Sequence, residues 1–271
     1  MFSYREYQVE LLLQKYIRKV WVLDNLRNPR VLSGKQLLPN GCFNLAFIFG
    51  NGVRVAQKSQ EELLSEGIYL CGQFTQHVPL RVLAHTKVTL AQLHAWTPST
   101  LACFPLHEIK NRVRPFAHLN PDLRNHLIEI DLEDEAVIMR FLSDSVAPRI
   151  RESTKTGLIR QTFLQFKYDR GDTRIQDLSE SSGISRRSLE HNFKTGLGIT
   201  PKELATIIKV RSLVDELKKS PTLRPNLTTL AHQYGFYDQA HFIRVFRQIT
   251  SISPKAFEAD NYFLPQQGKG L

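Results

Sequence analysis

Two sets of polar side chains near the C-terminus sit at spacings that suit contact with a polyanion. Arg186, Arg187, Glu190, His191 and Lys194 fall at i, i+1, i+4, i+5 and i+8, one face of a helix. Gln239, Ile243, Arg244 and Arg247 repeat that spacing further on, with Ala240 between them. Arginine can grip guanine O6 and N7 with two hydrogen bonds, glutamine can read adenine, and lysine or arginine can hold phosphate. The alternative reading is two solvated helix faces of ordinary charge.

What separates the readings is the frame around each set. Leu178, Gly183, Leu189, Phe193, Ile199 and Pro201 recur as Leu230, Gly235, Phe242, Phe246, Ile252 and Pro254. Leu230 lies 52 residues after Leu178 and Phe242 lies 53 after Leu189, so the second copy carries one inserted residue. Each copy reads as a helix-turn-helix: a short helix over about 176–182 or 228–234, a Gly able to take positive φ, and a second helix capped by Ser185 or Asp238. Leu189/Phe193 and Phe242/Phe246, each at i and i+4, would pack on the first helix of their unit and leave the polar set outside.

Between the copies, Thr200-Pro201-Lys202-Glu203 joins an N-cap, a proline at the first helical position and a capping-box glutamate. The helix it opens should run to Ser220-Pro221, and the 19 residues from Pro201 to Lys219 span about 28 Å at 1.5 Å per residue. One turn of DNA is about 34 Å, so two recognition helices could enter successive major grooves.

The pattern IQDLSESSGISRRSLEHNFKTGLGITP, followed by LAHQYGFYDQAHFIRVFRQITSISP, resembles the AraC/XylS family of transcription regulators over roughly 157–260. That resemblance implies double-stranded DNA as a partner, RNA polymerase as a second one, and a regulatory domain fused in front. Two positions depart from the family pattern: His191 stands where an arginine is usual, and Ser251 where glycine is usual. LLPNGCFNLAFIFGNG, YLCGQFTQ and CFPLHEIKNRVRPFAHL resemble the uncharacterised β-rich domains found ahead of this module.

The 271 residues carry 36 Lys+Arg against 26 Asp+Glu, a net charge of +10. Cutting after Glu152 leaves 18 basic and 15 acidic residues before the cut and 18 and 11 after it, so the excess sits mainly with the repeat. The expected organisation is α+β. A β-rich sensor or dimerisation domain over 1–130, with cupin or jelly-roll as candidate forms, is followed by a helical connection over 131–156. An all-α double helix-turn-helix domain spans 157–262, and 263–271 is a tail. CFNLAFIF at 42–49 alternates, and Gly50-Asn51-Gly52 reads as a hairpin turn into Val53-Arg54-Val55. A helical or mixed segment is expected near 6–20, and helical spacing begins again at Asp122.

In the first domain, Phe43, Phe47 and Phe49 are candidate walls for a small apolar or amphipathic ligand, against the simpler reading that they are core. The histidines His77, His85, His94, His107, His118 and His126 lack the His-x-His…Glu spacing of a cupin metal site, so no metal and no cofactor are expected. Cys42, Cys71 and Cys103 read as free thiols, and Cys103 as structural rather than as the nucleophile of a DNA-repair protein. No run has the length of a membrane span or the apolar core of a secretory signal, which points to the cytoplasm. The chain is read as a regulator rather than an enzyme, with a homodimer in view. Two other readings are kept: a cupin-like metal enzyme with a DNA-binding appendage, and an architectural DNA-binding protein that answers to no small molecule.

Overall fold

In the computed structural model the described residues are 2–57, 60–118, 121–123, 127, 130–219 and 226–263. His126, the Ser220-Pro221 helix stop and residues 264–271 of the expected tail lie outside them.

Among the described residues ten strands build the first part: β1 Ser3–Tyr7, β2 Ile17–Asp24, β3 Leu32–Leu37, β4 Phe43–Gly50, β5 Val53–Gln57, β6 Gln60–Leu64, β7 Gly67–Cys71, β8 Val78–Val82, β9 Thr86–Leu93 and β10 Val113–Pro115. They form two sheets, ordered β1-β2-β9-β4-β7-β10 and β3-β8-β5-β6, and every pairing among them is antiparallel. The apolar face of each sheet needs cover, and two sheets stacked face to face supply it. Trp21, Leu23, Ile48, Val55, Leu80, Val82 and Leu90 fill the space between them.

Two expectations are corrected. Residues 6–20 are not helical: β1 ends at Tyr7 and β2 begins at Ile17, with turns between. Gly50-Asn51-Gly52 does not close a hairpin, because β4 belongs to the larger sheet and β5 to the smaller. Gly50 and Gly52 do take positive φ, 90° and 100°, but they carry the chain across the sandwich. A Cβ on Gly50 would lie 2.0 Å from the His85 carbonyl oxygen, so only glycine fits this crossing.

Helices follow: α1 Glu135–Phe141, α2 Thr154–Tyr168, α3 Ile175–Ser182, α4 Arg186–Leu197, α5 Pro201–Lys219, α6 Leu227–Gln233 and α7 Gln239–Thr250. Ser153 caps α2 in a reciprocal box with Thr156, so this helix starts ahead of residue 157. A last strand, β11 Tyr262–Phe263, pairs parallel with β3 and extends the smaller sheet.

The outer face of the larger sheet and the helices share one apolar core. Phe43, Leu45 and Phe47 belong to it together with Phe141, Phe163, Leu189, Leu204 and Phe246, all nearly or fully buried. Trp96 meets Phe163 edge to face at 5.9 Å, and the backbone N–H of His77 donates to the Ile249 carbonyl at 2.6 Å. The helical part is therefore seated on the sandwich through packed side chains and backbone hydrogen bonds alike.

Candidate nucleic-acid interface

Both units are built from capping and burial. In the first, α3 ends on Gly183 at φ 66°, and the Ser185 side chain accepts from the Ser188 N–H to start α4. In the second, Gly235 turns at φ 63° and the Asp238 carboxylate accepts from the His241 N–H at 2.6 Å to start α7. Leu189, Phe193, Phe242 and Phe246 are all fully buried. Apolar burial at i and i+4 fixes the rotation of each recognition helix, and so which residues it turns outward.

Outward on α4 stand Arg186, Arg187, His191 and Lys194, all exposed. Glu190 is half-buried and holds Arg186 at 3.3 Å, an i, i+4 pair that leaves Arg187 and Lys194 as the freer cations. On α7, Gln239, Ala240, Arg244 and Arg247 are exposed. Ile243 is only half-exposed and packs on the shared core, so its share in a contact surface is smaller than that of its neighbours. The Thr228 hydroxyl donates to Gln239 Oε1 at 2.9 Å, which orients that amide from the preceding helix α6. Among the described residues Arg244 forms no ion pair with Asp238; the carboxylate is engaged as the helix cap.

The spacing helix α5 holds the units together. Its start carries the expected box: the Thr200 N–H donates to Glu203 Oε2 at 2.9 Å, and the Glu203 N–H donates to Thr200 Oγ1 at 3.2 Å. Lys110 from the sandwich reaches Glu203 at 2.5 Å. Burial works against the charged carboxylate, but Lys110 and the Thr200 groups outweigh it and hold Glu203 below the usual glutamate range. Further along, Lys209 bonds Asp172 at 3.2 Å and the Gly235 carbonyl at 3.3 Å, and the Tyr234 hydroxyl donates to the Ser212 carbonyl at 3.3 Å. These contacts seat the turn of the second unit on α5.

One exposed aromatic was not singled out by spacing. Tyr237 is 88% exposed in the turn directly before α7. Two aromatics stand between the positive-φ Gly235 and the cap Asp238, and the structure buries Phe236 while turning Tyr237 outward, a choice no local spacing signals.

Phe43 and Phe47 are fully buried on the outer face of the larger sheet, and Phe47 meets Phe141 edge to face at 6.1 Å. Phe49 is half-buried at the end of β4. None of the three lines the space between the sheets. Strand alternation sends Ala46 and Ile48 there instead, so the expected ligand wall falls on the opposite face of the same strand. Of the histidines, His94 stacks on Trp96 at 4.5 Å, and a ring nitrogen of His85 lies 2.8 Å from the Leu26 carbonyl. Among the described residues no group of three His, Cys, Asp or Glu side chains could hold a metal ion. No helix among them is long and apolar enough to cross a membrane.

A sandwich seated on two capped helix-turn-helix units defines a two-domain protein with a tandem recognition module. Residues 178–260 match the model of a helix-turn-helix domain, HTH_18, and residues 5–115 match a domain of unknown function, DUF6597. The chain thus carries an AraC-type helix-turn-helix domain joined to a DUF6597 domain. It is 27% identical over 86 residues to an uncharacterized HTH-type transcriptional regulator of Haemophilus influenzae, covering 32% of this chain and 28% of that protein. To a probable thc operon regulatory protein of Rhodococcus erythropolis it is 26% identical over 80 residues, covering 30% and 24%. The match therefore spans about a quarter of each of these relatives. Among solved structures, ToxT from Vibrio cholerae aligns over 93% of this chain and 96% of its own, with a TM-score of 0.48 and 13% identity. ToxT with a bound unsaturated fatty acid aligns over 87% and 91%, with a TM-score of 0.44 and 15% identity.

Proposed function

We propose that this chain is a DNA-binding transcription regulator whose two recognition helices, α4 and α7, enter adjacent major grooves. The observation that carries the reading is the matched outward set: Arg186, Arg187, His191 and Lys194 on one capped helix, Gln239, Arg244 and Arg247 on the other. Arg187 and Arg244 are the candidates for base contact, with Gln239 beside them. Lys194, two turns after Arg187, and Arg247, one turn after Arg244, suit phosphate. Glu190 tunes Arg186, and Ile243 offers a methyl surface at the base of the set.

The +7 balance of residues 153–271 supplies the sequence-independent attraction to phosphate. On this reading the protein works in the cytoplasm, with RNA polymerase and a second copy of itself as further partners. The sandwich modulates the helical module in response to a small molecule or to dimerisation.

Binding of the full-length protein to a labelled genomic DNA library, measured by anisotropy and by sequencing of bound fragments, tests this. A recurring bipartite motif with half-sites about one turn apart is expected, together with affinity that falls steeply with salt. Affinity without any recurring motif would favour the architectural reading, and no affinity at low salt would end both.

A further inference from the structure

The inner face of the larger sheet changes character from rung to rung. Register sets Lys19, Gln92, Asn44 and Cys71 side by side across β2, β9, β4 and β7, and sets Trp21, Leu90, Ala46 and Tyr69 in the next rung. Beyond the second rung lies a cavity of about 50 Å³ with apolar walls. Gln92, Asn44 and Cys71 of the first rung border another of about 40 Å³. Trp21, Leu37, Cys71, Phe74 and Val78 line both, so the two adjoin.

The polar cavity is lined by carboxamides with unanswered acceptors. Gln73 and Gln92 are 1% and 2% exposed. Gln73 donates its Nε2–H to the Gly41 carbonyl at 2.9 Å, which orients the group, and its Oε1 has no donor among the described residues. The same holds for Gln92 Oε1 and Asn44 Oδ1. A buried carbonyl left without a donor destabilises the fold, and folded chains keep few of them. Three around one cavity mark a place shaped for hydrogen-bond donors.

Charge narrows the ligand further. Burial pushes the Cys71 thiol up to about 12, so it stays neutral. Arg211, reaching in from α5, is already paired with Asp215 at 3.1 Å. A carboxylate would bring acceptors to acceptors, and an ammonium would bring a cation beside a guanidinium. We propose that this cavity binds a small neutral molecule presenting hydroxyl or amide N–H donors to Asn44, Gln73 and Gln92, with a short apolar tail in the adjoining slot. A free volume near 40 Å³ accepts about three water-sized groups, which suits a diol or primary amide head.

The walls also connect to the helical domain. Leu37 lies on β3 opposite Phe263 of β11, and Arg211 lies on the spacing helix. That this ligand acts as an effector rests on the regulator reading; that it binds does not.

The test uses the full-length protein carrying Trp96→Phe, which leaves Trp21 as the sole tryptophan, with no DNA present. Hexane-1,2-diol, hexanoate and hexylamine are titrated separately while Trp21 emission and the thermal midpoint are followed. A saturable response to the diol, at least tenfold tighter than to either ion, is expected. Gln92→Leu should abolish that response and raise the midpoint of the free protein, since it removes a buried carbonyl without a donor. A linear response, equal responses to all three probes, or a Gln92→Leu protein that melts lower and still answers the diol would overturn the site. If the diol binds and DNA affinity does not change, the effector role falls and the site stands. Failure to bind DNA would count against the regulator reading alone.

Discussion

In the first unit the recognition helix α4 ends on Gly198, at φ 86°, tucked so close to the sandwich that a Cβ there would lie 2.7 Å from the Leu106 carbonyl oxygen. In the second unit α7 ends on Ser251 at φ 66°, a left-handed position that costs a non-glycine residue about 1–2 kcal/mol. The second unit is held instead by an aromatic chain: Phe236, Phe242, Phe246, Phe257 and Tyr262 run ring to ring at 5.0–5.9 Å. Its last member sits in the strand that joins the smaller sheet, and the Tyr262 hydroxyl donates to the Thr250 carbonyl. One repeat has thus been anchored twice by different means, the first by close backbone approach and the second by rings and an added strand. The lesson is that the repeat preserves the apolar pairs and turn glycines that close each unit, while the means of anchoring each unit to the sandwich and the residues turned outward differ.

Truncating the buried rings tests that difference most severely. Phe193→Ala and Phe246→Ala should each cost about 3–5 kcal/mol, read by urea denaturation of the full-length protein. Phe246→Ala should be the worse of the two, because it removes the link between Phe242 and Phe257. Equal losses would mean that the aromatic chain adds nothing beyond burial.

The outward faces come next. Arg187→Ala and Arg244→Ala should each weaken binding to the bipartite site by about 1–3 kcal/mol and relax preference at one base position. Lys194→Ala should weaken specific and random DNA alike. A uniform loss for all three would show that phosphate contacts, not base readout, occupy both faces.

The helix ends offer a smaller, signed comparison. Ser251→Gly should stabilise the protein by up to about 1 kcal/mol, because relief of the left-handed strain exceeds the added freedom of the unfolded chain. Gly198→Ser should destabilise by more than that, since it adds both strain and a clash with the Leu106 carbonyl. Opposite signs in thermal melts are the expected result; the same sign for both would break the contrast between the two anchors.

The smallest effect concerns the ion pair that ties α5 to the sandwich. Glu203 has a folded pKa below its ordinary 4.5, so its contribution is present above that value and is lost as pH falls through the folded pKa. A pair this exposed contributes well under about 1 kcal/mol. The difference in thermal midpoint between wild type and Glu203→Gln should be constant from pH 7 to 5 and shrink below 4.5. A difference that grew on acidification would place the stabilising charge elsewhere.

Sequence alone determined the helical part in detail. Caps, a proline at the first helical position, positive-φ glycines and i, i+4 apolar pairs act over a few residues, and their consequences are local. The helix from Pro201 to Lys219, the caps Ser185 and Asp238 and the outward sets on α4 and α7 could therefore be read before any tertiary contact was known. The one-residue insertion after Gly235 was legible for the same reason.

Tertiary structure decided the rest, because the interactions that settle it join residues far apart in the chain. Alternation showed that β4 has two apolar faces, but which face looks into the sandwich depends on partners at 67–71 and 86–93. Phe43 and Phe47 went to the helices, and Asn44 to the cavity. The Gly-Asn-Gly turn has the local chemistry of a hairpin, yet sheet pairing with β8 and β6 drew β5 into the other layer. Tyr262 pairing with β3, and Arg211 lining one cavity with Gln73 and Gln92, join residues more than a hundred apart in sequence. No local pattern encodes such a meeting; only the shared core that brings the sandwich and the helices together does.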